Sequence, residues 1–123
     1  IHEDPEQTAF LVTDGGHEVR LRQSTLVGRL TPEVHVDVDL TPMDAAKVVS
    51  RRHAAITRIT SQYLIKDLGS RNGTFINDIR LKKDESRVLH TGDVVCFGSL
   101  ERGICMGFKG GASRNSPLYG EVG

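Results

Sequence analysis

Turn-forming residues recur every several positions along this chain, and their spacing holds its apolar segments to strand length. Asp14-Gly15-Gly16-His17, Gly28, Gly69-Ser70-Arg71-Asn72-Gly73, Asn77-Asp78, Thr91-Gly92-Asp93 and Gly98 each break an apolar run before a long helix could form. Between them lie short segments such as Ala9-Phe10-Leu11-Val12, Thr25-Leu26-Val27 and Val94-Val95-Cys96-Phe97. Val34, Val36, Val38 and Leu40 alternate with His35, Asp37 and Asp39, which predicts a half-buried strand or extended edge. Asp44-Ala45-Ala46-Lys47 can supply one helical turn at most. Many short strands of this kind predict an all-β chain folded as a β-sandwich.

At 123 residues the chain has the length of one domain. Residues 1–7 are polar and acidic and read as a flexible lead-in, residues 8–108 as the folded domain, and residues 109–123 as a flexible tail or linker. The chain opens on Ile1 rather than methionine, which reads as a fragment of a longer protein. Sixteen basic and sixteen acidic side chains cancel, so no global field draws in nucleic acid or an anionic membrane, and any anion binding must be local. Cys96 and Cys105 lie in strand-like runs without a CxxC or Cys/His cluster; the expectation is a pair of buried, reduced thiols, with no metal site.

Polar chemistry is concentrated in two stretches, Ser50-Arg51-Arg52-His53 and Leu68-Gly69-Ser70-Arg71-Asn72-Gly73-Thr74. Hydroxyls, amides and guanidinium forks at loop ends on a rigid sheet are what an anion site needs. Arg29, just after Gly28, adds a third cationic turn. An enzyme reading would need Ser50, His53 and Asp67 as a triad. A serine three residues ahead of a histidine on one extended run does not aim its oxygen at the imidazole, and no G-x-S-x-G elbow, Walker loop or HExxH helix occurs. A nucleic-acid reading would need aromatic residues interleaved with Arg29, Arg51, Arg52 and Arg71, and there are none. Asn72-Gly73-Thr74 also spells a glycosylation sequon, whose glycan would block the loop.

Gly28-Arg29, Ser50-x-x-His53, Leu68-x-Ser70-x-Asn72-Gly73-Thr74-Phe75-x-Asn77 and Gly92-Asp93-x-x-x-Phe97-Gly98 fall in this order along nearly the whole chain. Together they resemble the forkhead-associated (FHA) domain. The resemblance implies a two-sheet β-sandwich of about eleven mostly antiparallel strands, whose loops bind a phosphothreonine peptide of a partner protein. It implies that Arg29 and Ser50 contact the phosphate, that Arg51 touches the phosphate or the peptide backbone, and that Arg71 and Asn72 lie beside the peptide, with the asparagine on its main chain. Gly28, His53, Gly73 and Thr74 would support the binding loops. Val48, Val49 and Arg71 are candidates for reading residues that flank the phosphothreonine. Asp78 stands where the family often has glycine, and Asn77-Asp78 can still make a tight turn. No catalysis, cofactor, small-molecule substrate, nucleic acid or membrane is implied. The setting expected is intracellular, nuclear or cytoplasmic, with the isolated domain a monomer. The other function weighed is a phosphate-independent scaffold or oligomerisation domain that uses a sheet face.

Overall fold

The computed structural model describes residues 8–110. The expected lead-in over residues 1–7 and the tail from residue 111 lie outside the described residues. Eleven strands form two sheets. β1 (Ala9–Val12), β2 (Glu18–Arg20), β7 (Thr74–Ile76), β8 (Ile79–Arg80), β10 (Val94–Phe97) and β11 (Ile104–Gly110) make a six-stranded sheet in the order β2-β1-β11-β10-β7-β8. β3 (Ser24–Gly28), β4 (Val38–Asp39), β5 (Arg52–Ile59), β6 (Gln62–Asp67) and β9 (Ser86–Leu89) make the second, in the order β4-β3-β5-β6-β9. All pairings described are antiparallel except β3 with β4. Among the described residues no helix is long and apolar enough to cross a membrane.

Alternation builds the core. Leu11, Ile56, Ile65, Val95, Phe97 and Met106 turn inward from facing strands and are all but inaccessible, so their burial drives the two sheets together. The 34–40 stretch keeps its predicted alternation, with Val34, Val36, Val38 and Leu40 buried, but only Val38–Asp39 is a strand. Its outward carboxylates add to the two backbone bonds that tie it to β3, from the Asp37 amide to the Leu26 carbonyl and from the Leu40 amide to the Gly28 carbonyl, both at 2.8 Å. Asp37 Oδ2 accepts the Leu26 amide at 2.8 Å, and Asp39 Oδ1 accepts the Leu30 amide at 3.0 Å and the Thr41 hydroxyl at 2.6 Å. Those bonds hold the Asp39 carboxyl below its ordinary pKa, the one from the Leu30 amide foremost. A 3₁₀ turn at Thr41–Met43, started by Pro42, comes first, and Asp44–Lys47 follows as the single turn expected, closed by the Lys47 amide on the Asp44 carbonyl at 3.1 Å.

Two expectations change. β11 runs through Lys109 and Gly110, which pair with Phe10 and Ala9, so the sandwich extends two residues past the expected boundary at 108. Cys96 and Cys105 are not separate thiols but a disulfide between β10 and β11. They are directly opposed in the antiparallel register, which puts both side chains on the same face of the sheet. That face is the outer one: their neighbours Val95, Phe97, Ile104 and Met106 are the ones that point into the core. A search for CxxC spacing cannot find this pair, because the hairpin, not the sequence interval, brings the sulfurs together.

Asn77 and Asp78 both have positive φ, 49° and 72°. This is the pair of left-handed residues that a tight two-residue hairpin needs, so aspartate does serve here. Asn77 also ties the β7–β8 hairpin to β10, its Oδ1 accepting the Val94 amide at 2.9 Å and its Nδ2 donating to Asp93 at 3.0 Å.

Candidate functional site

Gly28 ends β3 at a register shift against β5, where the two backbones crowd. A Cβ at Gly28 would fall on the Arg51 carbonyl oxygen, so only glycine allows the approach. The next amide, Arg29, donates to that same carbonyl at 3.1 Å. Arg29 is thereby fixed beside the 49–51 backbone, with its Nε at 3.4 Å from the Val49 carbonyl. The half-buried Arg29 faces a cavity of about 380 Å³ that Thr41, Asp44 and Lys47 also line. A second cavity, about 330 Å³, is lined by Val34, Ser50, Arg51 and Arg52.

His53 is the bracket between the loops. Its ring is fully buried and meets Phe97 edge to face at 5.7 Å. Nδ1 accepts the Ser50 amide at 3.0 Å, so the proton of the neutral ring sits on Nε2, which donates to the Gly73 carbonyl at 2.8 Å. Gly73 O also accepts the Gly98 amide at 2.9 Å, which fills both lone pairs. One imidazole therefore joins the Ser50 turn, the Gly73 turn and, through Phe97 and Gly98, the end of β10. The triad arrangement does not occur: His53 takes the backbone amide of Ser50, and Asp67 bonds elsewhere.

Burial of His53 lowers its pKa from the ordinary 6.5, against the opposing pull of the Gly73 bond and the Asp67 and Asp44 charges. Above pH 6.5 the ring is neutral in both states and titration contributes nothing. Below it, the unfolded chain takes a proton that the folded one resists, so unfolding gains as pH falls. We therefore expect the melting temperature to hold level down to about pH 6.5 and then decline. A profile level to about pH 5 would contradict this account of the bracket.

Two carboxylates that the sequence analysis gave no part in the binding site shape the loops. Asp67, at the end of β6, accepts the Ser70 hydroxyl at 2.5 Å and the Thr74 hydroxyl at 2.7 Å on Oδ1, and the Gly69 and Ser70 amides, both at 3.0 Å, on Oδ2. Burial pushes its carboxyl up, but the bonds from Ser70, Thr74 and Gly69 together outweigh that and leave it lowered. Asp44 is buried and accepts the Val48 and Val49 amides at 2.9 and 3.0 Å. An aspartate two and three residues ahead of a Gly-Ser pair can cap their amides as a side-chain-stabilised turn, and that signal could have found Asp67.

The structure brings Ser50, Arg71 and Asn72 together. Ser50 Oγ accepts the Arg71 amide at 3.0 Å, which leaves its O–H able to donate outward. Asn72 Nδ2 donates to the Val48 carbonyl at 2.9 Å, so one of its two N–H bonds is engaged within the site and it cannot use its whole amide on a peptide. The amides of Leu68, Gly69, Ser70, Arg71 and Gly73 all have partners inside the fold, as does that of Ser50. A cradle of backbone N–H groups is therefore not on offer from these residues, and the side chains must supply the donors. Arg51 and Arg71 are exposed. Gly73 has φ 95°, and a Cβ there would come within 2.6 Å of Arg80 Nε. Thr74 is fully buried. Val49 is buried in the core and is removed from the flanking-residue candidates; Val48 and Arg71 stay accessible.

A family profile described as FHA domain matches residues 25–98, a span that contains every residue of the site. The oxoglutarate dehydrogenase inhibitor of Corynebacterium jeikeium is 36% identical over 110 residues, which cover 85% of this chain and 69% of that protein. The chain spans only between 6% and 25% of the length of four other curated relatives it matches. A solved structure described as an analysis of phosphothreonine-dependent FHA domain interactions superposes with a TM-score of 0.65 at 27% identity, over 83% of this chain and 95% of that one. Mycobacterium tuberculosis EmbR, in complex with a low-affinity phosphopeptide, gives a TM-score of 0.66 at 27% identity, over 86% of this chain and 25% of that one.

Proposed function

The chain belongs to the FHA family, and from that membership we propose that it is a phosphothreonine-dependent interaction module, a reader of phosphorylated partner proteins rather than an enzyme. The observation that carries the reading is the bracketed Ser50, its hydroxyl steadied by the Arg71 amide and its backbone by His53, with Arg29 latched to the neighbouring Arg51 carbonyl. A phosphothreonine brings roughly −1.5 to −2 charges and three acceptor oxygens. Arg29 supplies a planar fork for two of them, Ser50 a short hydroxyl donor, and Arg51 a further charge. The second N–H or the carbonyl of Asn72 then takes the peptide main chain, and Arg71 lies alongside.

The functional unit is the sandwich, from residue 8 through the end of β11, acting as a monomer with the flanking residues outside it. A nuclear or cytoplasmic setting accords with a phosphorylated partner. In such a reducing compartment Cys96 and Cys105 would stand as two thiols. Nucleic acid is disfavoured by the zero net charge.

The test is a titration with phosphothreonine, phosphoserine and unphosphorylated versions of an oriented peptide library. Binding confined to phosphothreonine is the expected result, and the preferred flanking residues would narrow the partner. Flat titrations for all three would overturn the reading in favour of a phosphate-independent scaffold. That alternative has one observation behind it: Phe10, Phe75 and the half-exposed Val94 lie on the outer face of the six-stranded sheet. Lys109 over Phe10 and Arg80 over Phe75, each at 5.9 Å, shield part of that face.

A further inference from the structure

The Cys96–Cys105 pair takes no part in phosphothreonine recognition, yet it stands at the root of the loop that props the recognition turns. Cys96 opposes Cys105 one rung before Phe97 opposes Ile104, the last rung of the β10–β11 hairpin. The chain then turns through residues 98–103, closed by the Gly103 amide on the Ser99 carbonyl at 2.8 Å. This end of the hairpin reaches into the site. Phe97 meets the His53 ring edge to face. Gly98 donates its amide to the Gly73 carbonyl at 2.9 Å, beside the bond from His53 Nε2. Gly98 also lies so close to Val48 that a Cβ would come within 2.5 Å of its Cγ2, and the Val48 carbonyl holds the Asn72 side chain.

Access to the two cysteines is one-sided. Cys96 is only 3% exposed, with Phe75 beside it on β7. Cys105 is half-buried, because β1 stops at Val12, opposite Gly107, and only the 13–15 turn continues on that side. A cavity of about 390 Å³ lies there, lined by that turn, Met43 and Cys105 among others. A small oxidant or reductant therefore reaches the pair from the Cys105 side.

We propose that Cys96 and Cys105 form a reversible redox clamp on the recognition loops: two thiols in a reducing compartment, a disulfide after exposure to a low-molecular-weight disulfide. Its effect on affinity rests on the phosphothreonine reading; the clamp itself does not. The Cys105 thiolate attacks one sulfur of the small disulfide and expels a thiolate, and the Cys96 thiolate then attacks the Cys105 sulfur and expels the second. The pair loses two electrons and two protons, and the oxidant is reduced to two thiols. Ladder rungs on either side, Val95 with Met106 and Phe97 with Ile104, keep the thiols opposed, so closure needs no search of the chain. A covalent rung at this point limits the open states of the hairpin end, and with them the freedom of Phe97 and Gly98 to leave His53 and Gly73.

The test equilibrates the full chain in glutathione buffers of stepped ratio, with thiol alkylation and mass measurement giving the fraction of disulfide at each step. Amide hydrogen exchange, read at the same steps, compares Gly98 with the β5–β6 ladder. The expected result is one transition between dithiol and disulfide, along which Gly98 exchange slows roughly tenfold while the ladder changes much less. A Cys96→Ser, Cys105→Ser chain should hold the dithiol rate at every ratio. Titration of the phosphothreonine library into the two forms should show the disulfide form binding roughly fivefold tighter, the low end of coupling between linked sites. Reciprocity then requires saturating phosphopeptide to lower the midpoint potential of the pair by about 20 mV. A pair that stays thiol or stays disulfide across the whole glutathione range overturns the proposal. So does a Gly98 amide that slows no more than the ladder, or peptide bound equally by both forms. A chain that binds no phosphothreonine peptide in either form, yet shows the Gly98 transition, keeps the clamp and sinks the phosphothreonine reading instead.

Discussion

Arg29→Ala is expected to weaken phosphothreonine-peptide binding by about 2–5 kcal/mol, some thirtyfold to several thousandfold, without unfolding the domain. The asymmetry follows from how Arg29 is held. Its backbone amide makes the structural contact, to the Arg51 carbonyl, and alanine keeps that bond. Its side chain makes one long bond, Nε to the Val49 carbonyl at 3.4 Å. Little folding energy therefore rests on the guanidinium, and most of its value should appear only when two phosphate oxygens reach the fork. Arg29→Lys separates charge from geometry: a point charge replaces the fork, so it should recover part of the affinity and not all of it. Calorimetric titration of all three proteins, with thermal melts as the control, checks this. An Arg29→Ala chain that binds as tightly as the parent would remove Arg29 from the site.

Strand positions were legible because alternation is a local property. Val34, Val36, Val38 and Leu40 are buried as their spacing predicts, and Asn77-Asp78 turns as its residue types allow. Pairing was not legible from composition and spacing. The parallel contact of β3 with β4 and the opposition of Cys96 and Cys105 depend on which strands become neighbours, and no local pattern records that. The 34–40 stretch shows a subtler limit. Its period specified which residues are buried, but only Val38–Asp39 forms a strand, and the rest is tied to β3 by the Asp37 and Leu40 amides together with the Asp37 and Asp39 carboxylates.

In the site, the legible residues were those whose reason for being there is steric or cationic. Gly28 stands where a Cβ would meet backbone and Gly73 at a φ of 95° that favours glycine, and Arg29, Ser50 and Arg51 look like anion chemistry in any order. Asp67 was weighed only as a triad member and Asp44 only as a turn residue, and the part both take in shaping the site was not legible. They act at short range on backbone amides and hydroxyls behind the site, where their bonds fix the loops. Their charge is offset by those donors rather than presented to the ligand. The same bonds decide what the backbone can offer: the Gly69, Ser70 and Ser50 amides are taken up by Asp67 and His53, only two or three residues away, so they are not free for a ligand.

His53→Ala is expected to give the largest loss of stability of any single change at the site, about 3–5 kcal/mol, as for other large buried rings truncated to alanine. The ring is wholly inaccessible, so its removal leaves a cavity against Phe97. It also strands the Ser50 amide without its acceptor, whereas the Gly73 carbonyl still keeps the Gly98 amide. At roughly 4–8 °C per kcal/mol for a domain of this size, the melting temperature should fall by at least about 12 °C. Affinity should fall too, although His53 faces the core and not the ligand. Without the bracket, Ser50 and Arg71 lose the fixed geometry that keeps the serine hydroxyl pointed outward. Should the alanine variant fail to fold, His53→Asn keeps an acceptor near the Nδ1 position and gives a milder form of the same experiment. Titration well below each variant's own melting temperature separates the two effects, since both chains are then fully folded. A variant that melts lower yet binds phosphothreonine peptide as the parent does would show that the loops hold their shape without the imidazole. One that melts with the parent would place no energetic weight on a ring that the packing makes the hinge of the site.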